Sequence, residues 1–487
     1  MTDSVPYGAI LVGTGSGLEL IEAFIARNPN ARAAVIDKDR PGGICLTRGC
    51  IPSKILLYSA ELVRIIEGAS EFGISTGSPA VSFPAVMERM RSLVAPDIKA
   101  IGESLRQAED IDYFTDTAEF VGPKTLKVGS SVISSDLIFL CTGSRPAVPP
   151  VSGLEEAGYL TSDTLLSLEE LPESIVIIGG GFIAAEYGHF LSAMGSAVTI
   201  IGRNPRFLPD EEPEVSSFAR SRLGEHLKIL TNHEVSSVRK AMAHEKVVTA
   251  VNRGDGTIVE LVAEELLVAT GRSPNNDLLH LEKGGIAVDN KGWIIVDTFR
   301  RTSQPGIWAF GDGTGLHQFK HLANQEARVV YHNAVLGESV EMDDSFVPSA
   351  VFTDPEIASF GMREGEAVNA YGEENILIGF ALYEDTAKGL AMGAGTCFAK
   401  VIADSTTGRI LGAHIAGPSA SILIQEILTL TQVKPDTTSF DIGKAMHIHP
   451  ALSEVIEHAC LSLMPVSHYH HILQDHLGLG PGSGQME

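Results

Sequence analysis

Two cysteines separated by four residues are the part of the sequence best suited to covalent chemistry. Cys45 and Cys50 stand in residues 42–54, directly after an apolar run that is typical of a buried strand. The spacing permits a local disulfide, and a thiolate is the nucleophile of thiol–disulfide exchange. A metal site is disfavoured because no second pair of Cys or His residues at zinc-ligand spacing accompanies them. We therefore predict a redox-active cysteine pair, with two structural cysteines as the alternative.

A histidine and a glutamate near the other end of the chain could supply the base that such a pair needs. His449 and Glu454 are five positions apart across the predicted start of a helix. Imidazole titrates near neutral pH, and a carboxylate that accepts its other N–H fixes the tautomer and strengthens the base. Taken alone, a His-Pro sequence at a helix start is more often structural. Combined with the cysteines, it predicts proton transfer by His449.

A glycine-rich loop near the beginning of the chain has the pattern of a dinucleotide-binding site. It reads Gly-Thr-Gly-Ser-Gly over residues 13–17, between a predicted strand at Ala9–Val12 and a predicted helix at 18–26. Backbone amides at such a helix start hold a pyrophosphate, and an acid ending the next strand, here Asp37, binds ribose hydroxyls. The predicted cofactor-binding residues of this unit are Gly13, Gly15, Ser16, Gly17, Asp37, Lys38, Gly43, Thr142 and Gly143.

A second glycine-rich loop follows later in the chain, but the strand after it is not followed by an acid. A predicted strand at Ser174–Ile178 leads into three glycines and a helix, but the next strand is followed by Arg203 and Arg206 instead of an acid. An acid at this position favours NAD, whereas an arginine accommodates the 2′-phosphate of NADP. We expect NADP on this ground, although surface arginines after a strand are common. The predicted binding residues are Gly179, Gly181, Ala184, Glu186, Arg203, Arg206 and Gly271.

Charge and hydropathy exclude several classes of partner. The 61 acidic and 36 basic residues give a formal charge of −25, which repels nucleic acid and anionic membrane surfaces. No apolar run approaches the roughly 20 residues that cross a bilayer, and the amino terminus lacks the features of a signal peptide. Five cysteines in 487 residues do not indicate a secreted disulfide framework. We expect a cytoplasmic protein without a bound metal, nucleic acid or membrane partner.

The alternation of strands and helices predicts an α/β protein with two Rossmann-like dinucleotide-binding domains. Each unit contains a strand, a glycine loop, a helix and a second strand, and each is closed by a later strand that ends in Thr-Gly. From about residue 347 the pattern changes to alternating strands followed by helical stretches. This change indicates a separate α+β domain at the carboxyl end.

Together these segments resemble the pyridine-nucleotide disulfide oxidoreductases, the family of dihydrolipoyl dehydrogenase, glutathione reductase and mycothione reductase. The resemblance covers nearly the whole chain and is most specific in residues 42–54. The other matching segments are 179–186, 270–275, 309–315 and 449–454.

The resemblance implies a glutathione-reductase-like fold whose parts can be assigned along the chain. Residues 1–147 and 273–345 would form the FAD-binding domain, and 148–272 would form the NAD(P)-binding domain. Residues 346–474 would form a dimerisation domain, followed by a flexible tail at 475–487.

The resemblance also implies roles for individual residues. Cys50 would face the flavin and Cys45 would exchange with the substrate, assisted by the His449–Glu454 pair of the other subunit in a homodimer. An ion pair between Lys54 and Glu186 would lie beside the flavin N5 atom. Asp312 would contact the ribityl-phosphate region of FAD.

Two substrate interpretations remain open. Dihydrolipoyl dehydrogenase, acting on a small dithiol or a lipoyl domain with NAD as its coenzyme, is the first choice and is supported by the His-Ile-His-Pro segment at 447–450. An NADPH-dependent reductase of a low-molecular-weight disulfide is favoured by Arg203, Arg206 and the segment 320–327, which resembles mycothione reductase. A non-enzymatic flavoprotein with structural cysteines is a distant third hypothesis.

Overall fold

The central strands of the first parallel sheet are short and apolar. A computed structural model describes residues 4–241 and 245–474, so the predicted tail at 475–487 lies outside the described residues. In chain order the first elements are β1 (Val5–Pro6), β2 (Ala9–Val12), α1 (Gly17–Arg27), β3 (Ala33–Ile36), α2 (Gly43–Arg48), α3 (Cys50–Gly68), α4 (Phe83–Gln107), β4 (Ile111–Phe114), β5 (Ala118–Gly122), β6 (Thr125–Val128), β7 (Ser131–Ser134), β8 (Ile138–Leu140) and β9 (Ser144–Pro146). Every residue of β2 and β3 is buried, which is the pattern of strands covered on both faces.

The second unit repeats this construction. Its elements are α5 (Leu154–Ala157), β10 (Leu160–Thr161), β11 (Ser174–Ile178), α6 (Phe182–Met194), β12 (Ala197–Ile201), α7 (Pro213–Gly224), β13 (Lys228–Leu230), β14 (His233–Lys240), β15 (Lys246–Asn252), β16 (Ile258–Ala263) and β17 (Glu265–Val268). Five strands form a parallel sheet in the order β10-β17-β11-β12-β13, and β14, β15 and β16 form an antiparallel sheet beside it.

The chain then returns to the first unit. The returning elements are β18 (Arg272–Pro274), β19 (Ile307–Ala309) and α8 (Lys320–Val330). Strand β18 pairs antiparallel with β9, and β19 completes the first parallel sheet in the order β19-β8-β2-β3-β4. The other strands before β9 form a separate sheet in the order β1-β7-β6-β5.

The first glycine of the nucleotide-binding loop has a similar backbone conformation and a similar close contact in both dinucleotide units. Gly13 has φ +101°, and a Cβ atom there would lie 2.2 Å from the carbonyl oxygen of Cys141. Gly179 has φ +142°, and its Cβ would lie 2.1 Å from the carbonyl oxygen of Ala269. Cys141 and Ala269 each precede a Thr-Gly turn, so only glycine lets the loop pass this closely over the neighbouring strand end.

The carboxyl-terminal part is built on a six-stranded antiparallel sheet. Its elements are β20 (Ser349–Val351), β21 (Ile357–Gly361), α9 (Glu364–Tyr371), β22 (Ile376–Leu382), α10 (Ala387–Ala391), β23 (Phe398–Asp404), β24 (Ile410–Ala416), α11 (Ala420–Val433), α12 (Ser439–Gly443), α13 (Glu454–Leu461), β25 (Met464–Pro465) and α14 (Val466–Ile472). The strand order is β20-β21-β24-β23-β22-β25. The predicted α/β fold with a separate α+β part is therefore confirmed.

A buried group of charges joins α7 of the second unit to this last sheet. Lys400 of β23 is fully buried, and its Nζ atom lies 2.5 Å from Glu214, 2.8 Å from Glu364 and 3.4 Å from Glu212. The hydroxyl of Tyr469 donates a further hydrogen bond of 2.7 Å to Glu214. A lysine can be buried this completely only when carboxylates compensate its charge.

None of the helices in the described ranges is long and apolar enough to cross a membrane.

Candidate active site

A cavity of about 1540 Å³ lies at the carboxyl ends of the strands in the first parallel sheet. This edge of an open α/β sheet is where ligands bind in such folds. The predicted residues that line it come from both dinucleotide units. They are Gly13, Gly15, Ser16, Asp37, Lys38, Gly43, Cys45, Cys50, Lys54, Thr142, Gly143, Glu186 and Asp312.

The two cysteines lie at the junction of two helices that border the cavity. Cys45 is inside α2 and half-buried, whereas Cys50 begins α3 and is exposed. The sulfurs are not joined by a disulfide bond, and each thiol shifts the pKa of the other. The hydrogen bond from Cys45, aided by the positive charge of Lys54, lowers the pKa of Cys50 to about 7. The same hydrogen bond and burial raise the pKa of Cys45, so Cys50 is the sulfur that carries the negative charge.

Lys54 and Glu186 form a bidentate ion pair one helical turn beyond Cys50. The Nζ atom lies 2.8 Å and 2.7 Å from the two carboxylate oxygens. The backbone N–H of Phe352 donates to Glu186 at 3.1 Å, and the ammonium group lies 4.6 Å from the centre of the Phe352 ring. Three parts of the chain, α3, α6 and the segment after β20, therefore hold this pair.

Asp37 is held at the end of β3 by a residue that the sequence analysis did not select. The backbone N–H and the hydroxyl of Thr14 donate to Asp37 at 2.9 Å and 2.5 Å. The Thr14 hydroxyl also accepts a hydrogen bond of 3.0 Å from the N–H of Gly42. Thr14 thus connects the glycine loop, the acid and the segment that leads to Cys45. The sequence offers one hint of this role: Thr14 has a hydroxyl group that can form hydrogen bonds and stands between the first two glycines of the loop.

Asp312 belongs to a second small network that sequence reasoning missed. The hydroxyl of Ser144 donates to Asp312 at 2.6 Å and accepts a hydrogen bond of 2.6 Å from Nε of Arg272. Arg272 lies 3.9 Å from the same carboxylate. The β9–β18 pairing brings these residues together across more than a hundred positions, so no local pattern reveals them.

A third cysteine of this region is structural. The thiol of Cys141 donates to the carbonyl oxygen of Gly13 at 2.9 Å, beneath the first glycine loop. Burial raises the pKa of Cys141 to about 12, which makes it a poor nucleophile.

His449 and Glu454 do not line this cavity. The Nδ1 atom of His449 lies 2.8 Å from one Glu454 oxygen, and the N–H of Ala451 donates to the other at 3.0 Å. The hydrogen bond with His449 lowers the pKa of Glu454 below its ordinary value. The side chain of His449 is 73% exposed, whereas that of His447 is only 4% exposed and lies 2.8 Å from Glu426. His449 is therefore the histidine of this segment that is free to face another molecule.

The second glycine loop opens α6 on the other dinucleotide unit. Gly181 precedes the helix and Ala184 is buried in its first turn. Arg203 and Arg206 are both exposed after β12. Arg253, in the turn between β15 and β16, donates a hydrogen bond of 3.2 Å to the carbonyl oxygen of Arg203. Three arginines consequently gather at the end of β12, where an acid would stand in an NAD site.

Comparison with known proteins identifies the family. Residues 9–334 match the sequence profile of pyridine nucleotide-disulphide oxidoreductases, and residues 347–460 match the dimerisation domain of the same family. The chain therefore belongs to the pyridine nucleotide-disulphide oxidoreductases, which confirms the resemblance noted from the sequence. It has the glutathione-reductase-like fold and the FAD and NAD(P) dependence of that enzyme class.

Named relatives include two kinds of enzyme. Mycothione reductase of Mycobacterium tuberculosis (strain ATCC 25618 / H37Rv) is 36% identical, with 94% of this chain and 99% of the relative covered. Dihydrolipoyl dehydrogenase of Bacillus subtilis (strain 168) is 33% identical, with 94% and 98% covered. Among solved structures, the HOCl-induced flavoprotein disulfide reductase RclA from Escherichia coli has a TM-score of 0.81 at 26% identity. That match covers 93% of this chain and 100% of the other.

The cavity suits the flavin dinucleotide that this family binds. Its volume exceeds the roughly 300–1,000 Å³ of ordinary small-molecule pockets, as an extended dinucleotide requires. Gly15 and Gly43 approach so closely that a Cβ on Gly43 would lie 2.7 Å from Cα of Gly15, leaving backbone amides facing the ligand. Asp37 supplies a carboxylate for ribose hydroxyls, and Ser16 is the N-cap residue of α1, at the helix end where a pyrophosphate is favoured.

Proposed function

We propose that this protein is an NADPH-dependent reductase of a low-molecular-weight disulfide, working as a homodimer through Cys45 and Cys50. The observation that carries the disulfide chemistry is the placement of both cysteines beside the Lys54–Glu186 ion pair in one cavity, and the coenzyme is inferred from the arginines after β12. A cysteine with its pKa near 7 next to a partner thiol is the arrangement that thiol–disulfide exchange requires.

In this proposal the two cysteines have different roles in the reaction. FAD, when bound, accepts a hydride from the coenzyme and passes two electrons on. Cys50 is the sulfur on the flavin side, and Lys54 stabilises its thiolate while Glu186 orients Lys54. The Cys45 thiolate attacks one sulfur of the substrate and releases the other as a thiol. Cys50 then attacks Cys45, which reforms the disulfide and releases the second thiol.

The departing thiolate needs a proton donor, and an imidazole becomes one after it has taken the proton of the Cys45 thiol. His449 of the partner subunit fits this role, because the His449 side chain is exposed and oriented by Glu454. Exposed apolar side chains near it supply the surface for self-association, as the match to a dimerisation domain also supports. They include Ile422, Val433, Phe440, Met446 and Ile448, each at least 62% exposed.

The coenzyme preference rests on the arginines after β12. Arg203 and Arg206 present two positive charges where the adenosine ribose of the coenzyme is expected, without a carboxylate that would bind a free 2′-hydroxyl. We expect the R203A/R206A double variant to lose at least about 100-fold in kcat/KM for NADPH, because it removes two charge-assisted hydrogen bonds of about 1.5–3 kcal/mol each. Activity with NADH should change less than about three-fold.

The measurement compares kcat/KM for NADPH and NADH in the wild type and the double variant. The exposed Arg220→Ala of α7 serves as a matched loss of charge in the same unit. A wild type that prefers NADH, or a double variant that loses both coenzymes equally, contradicts the proposed coenzyme.

Dihydrolipoyl dehydrogenase activity is the second candidate function. It is supported by the 33% identity to the Bacillus subtilis enzyme and by the His-Ile-His-Pro segment that ends at Pro450. One panel of assays distinguishes the two candidate functions. It measures NADPH oxidation with mycothione disulfide, glutathione disulfide and lipoamide, and the reduction of NAD⁺ or NADP⁺ by dihydrolipoamide. Rapid NAD⁺ reduction by dihydrolipoamide favours the second candidate. We assign either activity to the cytoplasm, where small thiols are kept reduced.

A further inference from the structure

An arginine from outside the second glycine-loop unit reaches the segment where the coenzyme ribose is expected. Arg253 stands in the turn between β15 and β16, in the antiparallel sheet beside the second parallel sheet. Its Nη1 atom donates a hydrogen bond of 3.2 Å to the carbonyl oxygen of Arg203, 50 positions earlier in the chain. The antiparallel sheet therefore brings a third cation to the end of β12, in addition to Arg203 and Arg206.

Backbone hydrogen bonds hold this turn against the segment that follows β12. The N–H of Arg253 donates to the carbonyl oxygen of Asn232 at 2.8 Å, and the N–H of Asn232 donates to the carbonyl oxygen of Asn204 at 2.7 Å. The N–H of His233 donates to the carbonyl oxygen of Gly202 at 3.0 Å. Because these contacts are made by the main chain, the turn that carries Arg253 has a fixed place beside the coenzyme segment.

The positive charges at this place have little compensation from the protein. Arg203 and Arg206 form no ion pair within residues 4–241 and 245–474, and Arg253 meets the carboxylate of Glu234 at 3.7 Å. The side chains of that pair are 51% and 58% exposed, and exposed pairs of this kind contribute little. The chain has 61 acidic and only 36 basic residues, so three arginines with one weak acidic partner indicate a site for an anion from outside the protein.

The guanidinium group of Arg253 has hydrogen-bond donors left for such an anion. Its hydrogen bond to Arg203 uses one N–H of Nη1, and the 3.7 Å contact with Glu234 is longer than a hydrogen bond. Guanidinium carries five N–H donors in one plane, and this geometry matches the oxygens of a phosphate group. Arg253 can therefore keep its contact with Arg203 and still donate to a phosphate.

We propose that Arg253 is a specificity-determining residue for the coenzyme, whose guanidinium group binds the 2′-phosphate together with Arg203 and Arg206. The contact with Arg203 keeps the guanidinium group beside the coenzyme segment, and the weak pairing with Glu234 is given up when the phosphate binds. Glu234 consequently opposes NADPH binding, because its carboxylate competes for Arg253. This inference rests on the proposed preference for NADPH.

Two nucleotides that differ only in the 2′-phosphate test the role of Arg253. Isothermal titration calorimetry measures the Kd of 2′,5′-ADP and of 5′-AMP for the full-length, FAD-loaded protein, in which FAD occupies the first dinucleotide site. Arg253→Gln removes the charge, Arg253→Lys keeps it, and Glu234→Gln removes the competing carboxylate. Arg239→Gln is the matched control, because Arg239 is an exposed arginine on β14 that lies about 20 Å along the strand from His233.

We expect Arg253→Gln to weaken the binding of 2′,5′-ADP about ten-fold, because a charge-assisted hydrogen bond to the phosphate is lost. Arg253→Lys should weaken it less than about three-fold, since lysine also binds phosphate as a point charge. Glu234→Gln should tighten it about two- to five-fold, as the loss of an exposed competing pair allows. The Kd of 5′-AMP should change less than about two-fold in every variant, and Arg239→Gln should match the wild type.

An unchanged Kd for 2′,5′-ADP in Arg253→Gln overturns the inference. Equal weakening of 2′,5′-ADP and 5′-AMP also overturns it, since Arg253 would then only support the shape of the segment after β12. A wild type that binds the two nucleotides equally contradicts the proposed coenzyme itself. If the wild type prefers 2′,5′-ADP and R203A/R206A abolishes this preference while Arg253→Gln keeps it, only the role of Arg253 is refuted.

Discussion

At the scale of single residues, the decisive feature is the hydrogen bond between two thiols. It shifts the pKa values of two chemically identical side chains in opposite directions. The pKa of Cys50 falls to about 7, while that of Cys45 rises. The sequence shows only that the two cysteines are near each other. Which sulfur is ionised depends on Lys54 and on the helix junction between α2 and α3, and these become visible only in three dimensions.

A pH dependence follows from this assignment. Because the pKa of Cys50 is lowered, its thiolate is present above about pH 7 in the reduced protein and is lost as the pH falls below that value. We expect the charge-transfer absorbance of the reduced, FAD-loaded protein to rise with a midpoint near pH 7. Cys45→Ala, which removes the largest cause of the shift, should move the midpoint upward by about one unit or more.

Spectrophotometric titration of the two proteins checks this expectation. Tyr58→Phe, an exposed change on the same helix, is the matched control and should titrate like the wild type. A wild-type midpoint near the ordinary thiol value of about 8.5 would show that the hydrogen bond does not act as described.

Other site residues illustrate what a sequence can and cannot reveal. Cys45, Cys50 and the His449–Glu454 pair were selected because their spacing is local and their chemistry is rare. Thr14 and Ser144 were missed because their partners, Asp37 and Asp312, lie 23 and 168 positions away. The residue roles themselves remain proposals until they are tested in solution.

At the scale of elements, the apolar strands were the most predictable part of the chain. The strands Ala9–Val12 and Ser174–Ile178 occur as predicted, because each is a largely buried apolar run that leads into a glycine-rich loop. Helix α1 begins at Gly17, one residue before its predicted start, since the last glycine of the loop belongs to the first turn.

The ends of the strands that close the two units are harder to predict. The closing strand of the first unit begins at Ile138 although the apolar Leu137 precedes it, and that of the second ends at Val268 although the apolar Ala269 follows it. Apolar side chains continue beyond the paired backbone at both positions, so hydropathy alone cannot locate the last hydrogen-bonded residue. The predicted domain boundaries depend on the same kind of signal and remain predictions.

At the scale of the whole molecule, the fully buried Lys400 connects the NAD(P)-side helix α7 to the carboxyl-terminal sheet. Lys400→Met would leave Glu214 and Glu364 buried without their cation, and breaking such a group costs about 3–5 kcal/mol. We expect a lower urea midpoint and a reduced free energy of unfolding. Lys99→Met, at an exposed ion pair, should change stability by less than about 1 kcal/mol.

Urea denaturation followed by circular dichroism measures both variants. A Lys400→Met protein within about 0.5 kcal/mol of the wild type would mean that the carboxylates relax to solvent or take up protons without cost. Such a result would show that the buried charges around Lys400 do not hold α7 against β23.

The arrangement of the whole chain places the two cysteines and the His449–Glu454 pair in different parts of the surface. The cavity contains both cysteines, whereas the His449–Glu454 pair lies outside it on a surface with exposed apolar side chains. The sequence suggested a shared site only through the resemblance to a dimeric family. The exposure of the His449 side chain supports the proposal that it serves the cavity of a partner subunit.

The central claim is that NADPH opens a disulfide between Cys45 and Cys50, and an anaerobic titration tests it without knowledge of the substrate. The oxidised, FAD-loaded protein is titrated with NADPH, quenched with iodoacetamide and analysed by peptide mass spectrometry, with Cys50→Ser in parallel. We predict a linked Cys45–Cys50 peptide before reduction and two alkylated cysteines after about one equivalent of NADPH per subunit, with no new thiol in Cys50→Ser. If both cysteines are alkylated before NADPH is added, or if NADPH is consumed without exposing them, the account is contradicted.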